Sequence, residues 1–207
     1  MKHIVSIVIL FIVVHSAFGQ LVQRYDNESA SLFSERLKPK NAILTHQVIE
    51  AKWNEKPVII AFYKQSYQLP REKDPDQQVY QKITGAVYIQ TEKNSYKKTS
   101  FGTIDTEGGE PNIETIFFAN ADKDKTKELI VIASWTQQHN DVSGTLYGTY
   151  VFDYDLASAK SDWTFLEKIS KQLDGGCECS WGDGTSKKAK YKKASEVKAA
   201  LIKLGFK

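Results

Sequence analysis

From residue 46 onward the apolar positions fall in short runs rich in Val, Ile, Tyr, Phe and Thr, separated by polar stretches. Such runs predict β-strands, because branched and aromatic side chains pack well on a pleated surface. Strands are expected near residues 46–53, 58–67, 79–91, 96–104, 112–118, 128–135, 146–154 and 163–173. Asn54-Glu55-Lys56-Pro57 and Glu92-Lys93-Asn94-Ser95 supply turns between neighbours. Two segments break the two-residue period. From Asn27, a candidate N-cap, Ala30, Phe33 and Leu37 share one helical face, and Pro39 ends the run. Near the C-terminus Ser195 can cap a helix over 195–204 whose face is Val197, Leu201 and Leu204, with Gly205 placed to stop it in a left-handed conformation. The pattern predicts an all-β, mainly antiparallel fold: a β-sandwich or a strongly bent sheet with a short helix near each end. Residues 68–78, with Pro70 and Pro75, and 105–111, with Gly108-Gly109, read as loops.

The first 19 residues stand apart. Lys2 and His3 precede an almost unbroken apolar run, Ile4 to Val14, and Ala17-Phe18-Gly19 places small residues before Gln20. A bilayer span needs about 20 apolar residues, so this run is an export signal with a cleavage site rather than an anchor. The expected organisation is a signal peptide over 1–19 and a single β-rich domain over 20–207, secreted or periplasmic, with no stable membrane insertion after cleavage. No fixed-period repeat or low-complexity linker divides the chain.

The formal net charge of +3 conceals an asymmetry: residues 187–207 hold eight lysines against the single carboxylate of Glu196. Nucleic-acid binding calls for a basic face interleaved with arginine and stacking aromatics, and Tyr191 is the one aromatic inside the lysine run, so no nucleic-acid partner is expected.

The most specific chemistry lies in Asn120-Ala121-Asp122-Lys123-Asp124-Lys125-Thr126-Lys127-Glu128, which runs straight into the apolar strand Leu129-Ile130-Val131-Ile132. Oxygen-bearing side chains at positions one, three, five and nine, with the Thr126 carbonyl at seven, are how a tight loop collects six or more oxygens around a hard cation. Asn120, Asp122, Asp124, Thr126 and Glu128 are therefore candidate ligands of a structural Ca²⁺. The bland alternative is a solvated charged turn. The segment resembles the calcium loops of FG-GAP and VCBS-type β-repeats, in which D-x-D-x-D-G-x-x-D/E leads directly into a strand. Lys125 stands where those loops have glycine, and a left-handed conformation there would cost about 1 kcal/mol.

Cys177 and Cys179 are the only cysteines. An oxidising compartment favours a bond between them, which closes a ring so small that chain entropy contributes only about 1.6 kcal/mol. Free or intermolecular thiols, a metal site sharing His46 or His139, or a redox role are the alternatives.

The stretch 137–147 ends in Ser143-Gly144-Thr145-Leu146-Tyr147. Its S-G-x-x-Y pattern is similar to that of the small periplasmic lysozyme inhibitors, which implies that Ser143, Gly144 and Tyr147 sit on a loop that enters a partner enzyme. Read from composition alone, the same stretch is a glycine-containing hairpin loop whose tyrosine starts the next strand.

No nucleophile elbow, zinc-helix motif, P-loop or dinucleotide-binding glycine run is present. Asp153 and Asp155 share a strand face as a glycosidase pair would, or mark a solvated strand end. The expected function is an exported, non-catalytic β-domain that binds a protein or glycan. A secreted hydrolase with a site assembled from dispersed residues and a structural or surface-associated protein are the alternatives.

Overall fold

The computed structural model describes residues 20–156 and 162–206. The expected signal peptide lies outside them. Twelve strands and three helices are described: β1 (Gln20–Gln23), α1 (Ala30–Arg36), β2 (Ile43–Leu44), β3 (Ile49–Trp53), β4 (Lys56–Tyr67), β5 (Tyr80–Glu92), β6 (Ser95–Asp105), β7 (Pro111–Ala119), β8 (Glu128–Gln138), β9 (Val142–Asp153), β10 (Thr164–Phe165), α2 (Glu167–Gln172), β11 (Gly176–Trp181), β12 (Ser186–Lys187) and α3 (Ala194–Lys203). They form two antiparallel six-stranded sheets. The chain builds the first from β1 to β6, in the order β1-β6-β5-β4-β2 with β3 also on β4. It then crosses over and builds the second, in the order β12-β11-β9-β8-β7 with β10 also on β9. This is a β-sandwich, as the strand pattern predicts.

The central strands are buried on both faces, which explains why their sequences run apolar without a visible alternation. In β4, Val58, Ile60 and Phe62 enter the core between the sheets, while Ile59, Ala61 and Tyr63 point outward beneath α1. In β8, Leu129, Val131, Ala133 and Trp135 face the same inter-sheet core, while Ile130 and Ile132 pack outward against Ile169 and Leu173 at α2 and Val197 and Leu201 of α3. The helices thus cover the outer faces, α1 on the first sheet and α2 with α3 on the second, giving four layers. Gly85 makes one close approach possible: the Phe101 ring of the neighbouring strand occupies the space a Cβ would need, at a register shift in the β5–β6 pair.

Three expectations are corrected. Residues 163–173 are not one strand but the two-residue β10 followed by α2. Leu166, Ile169 and Leu173 recur at helical spacing, and that period turns Ile169 and Leu173 onto the second sheet. The cap of α1 is Ser29, whose side chain accepts from the Leu32 amide at 3.2 Å, while Asn27 sits in a left-handed turn at φ 63°. Helix α3 starts at Ala194 with Lys193 as N-cap, because Glu196 reaches back to accept from the amides of Lys192 (2.7 Å) and Lys193 (3.1 Å). Gly205 takes the expected left-handed conformation at φ 94°. Strands β1, β2, β11 and β12 have no counterpart among the expected strands.

Candidate metal site

The loop joining β7 to β8 contains the predicted cation segment, and its own short side chains organise it. Asn120 Oδ1 accepts from the Asp122 amide at 3.3 Å, Asp122 Oδ1 from the Asp124 amide at 2.7 Å, and Asp124 Oδ1 from the Thr126 amide and hydroxyl at 2.6 and 2.8 Å. Each side chain caps the amide two residues on, the Asx-turn geometry that such residues favour. Asn120 Nδ2 adds a bond to the Asp124 carbonyl at 3.0 Å.

The chain of turns brings carboxylate oxygens of Asp122, Asp124 and Glu128 within 4.8 Å of one another. Asp122 is half-buried, Asp124 exposed, and Glu128, the first residue of β8, is 0% exposed. One Glu128 oxygen accepts from the Ala121 amide, and the other, Oε1, is buried with no hydrogen-bond partner. Burial pushes the Glu128 carboxyl up to about 7, helped by repulsion from Asp122, Asp124 and Asp153 and opposed by the Ala121 bond. An acid buried beside like charges with an orphaned acceptor is a group whose cationic partner would relieve both costs.

Asp153, at the end of β9, belongs to the same neighbourhood. Its carboxyl is also held above the usual range, first by burial and then by Asp122 and Asp124. The β8–β9 register, in which Leu129 faces Phe152, places Asp153 beside Glu128. Spacing along the chain suggests Asp153 and Asp155 only as a glycosidase pair or a solvated strand end, whereas the fold joins Asp153 to the loop.

The opposite sheet braces the site. Asn54 and Glu55 occupy the left-handed turn of the β3–β4 hairpin, with φ of 42° and 66°. From there Asn54 Oδ1 accepts the Lys127 amide at 2.9 Å and Asn54 Nδ2 donates to the Lys127 carbonyl at 3.1 Å. Trp53 Nε1 donates to the same carbonyl. Lys125 does not have a positive φ, so the strain expected of a side chain at the glycine position does not arise. The predicted ligands divide into two groups: Asp122, Asp124 and Glu128 converge, while the side chains of Asn120 and Thr126 hold the loop in shape.

Ser143, Gly144 and Tyr147 do not lie on a loop. They are residues of β9, with β8 on one side and β11 on the other: Ser143 faces Gln138 and Ser180, Gly144 faces Gln137 and Cys179, and Tyr147 faces Ser134 and Gly176. A Cβ on Gly144, at φ 153°, would collide with the Glu178 carbonyl and approach Cys179 Sγ at 2.9 Å. The glycine therefore has a packing reason beside the disulfide. Cys177 and Cys179 are bonded to each other, their Cα atoms 5.3 Å apart on one face of β11. Between them Glu178 points the other way and pairs with Lys192 at 2.7 Å.

A separate hollow of about 350 Å³ is lined by Glu107, Tyr150 and Asp174 together with Trp135 and Tyr147. Burial raises the Asp174 carboxyl, against hydrogen bonds from the Gly176 and Gly175 amides. Among the described residues no helix is long and apolar enough to cross a membrane.

No protein-family model, no curated protein and no solved structure matches this chain. The class is therefore defined by the architecture and the loop: a two-sheet β-sandwich, helices on both outer faces, with a braced acidic loop at one end.

Proposed function

We propose that this chain is an exported, non-catalytic binding module whose 120–128 loop holds a structural Ca²⁺. The observations that carry the reading are the convergence of Asp122, Asp124 and Glu128 and the fact that this fully buried glutamate keeps Oε1 without a partner. Carboxylates at mixed depth on a loop suit a large cation with flexible oxygen coordination better than Mg²⁺, which demands a near-ideal octahedron and sheds its waters reluctantly. Asn120 and Thr126 would complete the shell or support it. The interleaved Lys123, Lys125 and Lys127 weaken the local negative potential, so the expected affinity is modest, about 10⁻⁴ to 10⁻³ M, as in extracellular modules. Export is supported by the pattern of residues 1–19. The partner is a protein or glycan outside the cytoplasm, and the test of the module's foundation is thermal. Millimolar Ca²⁺ should raise the melting temperature relative to chelator, Mg²⁺ should do much less, and Asp122→Asn with Asp124→Asn should remove the shift. Identical melting of the native protein in calcium and chelator would overturn the reading.

The hydrolase alternative has one observation in its favour, the hollow where Glu107 and Asp174 stand beside Tyr150. Should a screen of glycans and esters detect turnover, Glu107→Gln and Asp174→Asn would each abolish it if that hollow is the site.

A further inference from the structure

Beside the acidic loop lies a hollow of about 650 Å³. About half of its lining is apolar: Phe165, Leu166, Ile169, Leu204 and Phe206, from β10, α2 and the end of α3. Phe165 and Leu204 are 45% and 47% exposed, more than such side chains need to be when a neighbour can cover them. The volume falls in the range of small-molecule sites, about 300–1,000 Å³, and a concave apolar lining with few polar groups is what such sites share.

Polar and charged side chains share the lining. Glu167 is engaged by Lys171, four residues on in the same helix. Lys123 and Lys168 also line the hollow, and neither forms an ion pair with a described residue. Asp122 belongs to both features: it is part of the hollow's wall, and its carboxylate is one of the three that converge in the loop. The charge at that end of the hollow therefore depends on the loop. Without a cation Asp122, Asp124 and Glu128 oppose Lys123 and repel an anion. With a divalent cation in place, Lys123 and Lys168 face an incoming head group across a wall whose negative charge has been neutralised.

We propose that this hollow binds a single-chain anionic amphiphile, a medium- to long-chain carboxylate, and that cation occupancy of the loop gates its binding. The apolar chain lies along Phe165, Leu166, Ile169 and Leu204, and the carboxylate sits between Lys123 and Lys168. The gating rests on the calcium reading above, whereas the apolar bed does not.

The test is calorimetric titration of decanoate, at concentrations where its calcium salt stays dissolved, into the chain beginning at Gln20, in millimolar calcium and in chelator. Decyltrimethylammonium serves as the cationic control, and the calcium shift in melting temperature is recorded alongside. Decanoate should bind on the order of tenfold more tightly in calcium, within the usual range of coupling between sites, and decyltrimethylammonium should show the reverse order. Phe165→Ser with Leu204→Ser should weaken decanoate without changing the calcium shift, because both side chains are already half in solvent. Lys168→Glu should weaken decanoate and spare the cationic control. A normal calcium shift with no decanoate binding in either condition would overturn the amphiphile site and leave the calcium reading standing. Equal decanoate affinity in calcium and chelator would overturn the gating. Absence of any calcium shift would overturn the calcium reading and the gating, while decanoate binding alone still decides the amphiphile site.

Discussion

Two buried polar sites occupy equivalent places in this sandwich, each on the outer face of a sheet and each near a covering helix, yet they are built in opposite ways. Beneath α1, the Tyr63 hydroxyl donates to the Ser34 carbonyl at 2.9 Å and lies 2.6 Å from the Tyr88 hydroxyl. Both phenols are shifted upward by burial, so both remain neutral and their network closes on itself. At the start of β8, Glu128 is as deeply buried but keeps one oxygen without a partner and three carboxylates as neighbours. In the first arrangement the protein alone satisfies both phenols, although the Ser34 hydroxyl beside them has no partner. The second is left open to a donor or cation from outside the chain: a water, a proton or a metal ion. Burial of a polar group therefore identifies a site only when its hydrogen-bond inventory is left open.

The comparison breaks most readily on pH. The Glu128 carboxyl is raised in the folded chain from an ordinary 4.5 to about 7. Between those values the folded state binds the extra proton, so stability is fully present below about pH 4.5 and is lost as pH rises through 7. In chelator the loss should reach up to about 3 kcal/mol, read from urea unfolding at pH 5 and pH 8. Glu128→Gln should flatten the profile, and calcium should flatten it for the native residue by replacing the proton. A native profile equally steep in calcium and chelator would separate the acidity of Glu128 from any cation.

The brace sharpens the contrast next. Asn54→Ala removes both bonds from Asn54 to Lys127 and leaves a backbone amide to find water, at a cost of about 1–3 kcal/mol. It should also weaken calcium binding, because the loop loses its hold on the opposite sheet. Asn54→Gly, which keeps the left-handed turn, should reproduce the calcium defect. A calcium affinity unchanged in both variants would show that the brace serves stability alone.

The smallest effect belongs to the closed network. Tyr63→Phe leaves the Tyr88 hydroxyl without its partner and takes one donor from the Ser34 carbonyl, which keeps the Leu37 amide at 3.2 Å. The expected cost is about 1 kcal/mol, the same in calcium and chelator and flat from pH 5 to 9. Any calcium dependence in this variant would mean that the two sites communicate.

How far the sequence carried these conclusions depends on how local each interaction is. The long strands were legible because runs such as Val58-Ile59-Ile60-Ala61-Phe62-Tyr63 contain little else but strand-forming residues, although burial on both faces hid which residues faced the core. Strand β11 was not, since Gly175, Gly176 and two cysteines carry no strand signature and pairing with β9 imposes the conformation. Helix α2 reads as a strand because Trp163-Thr164-Phe165 begins as one, although the helical spacing of Leu166, Ile169 and Leu173 signals a helix. In the loop, Asp122, Asp124 and Glu128 were legible from spacing alone. Asp153 could have been added by folding residues 128–153 back about a turn near Asn140, which sets it opposite Glu128. The brace from Trp53 and Asn54 had no signal, because it joins residues more than 70 positions apart across two sheets.

The central claim is that the loop around Glu128 takes a calcium-sized cation. Terbium substitutes for calcium in such sites and emits when a nearby indole is excited, and Trp53, bonded to the Lys127 carbonyl, is in place to sensitise it. The account predicts terbium luminescence on excitation of the folded protein, displaced by millimolar calcium and lost in Asp122→Asn with Asp124→Asn. Absence of sensitised emission, or emission that neither calcium nor the paired substitution diminishes, would contradict it.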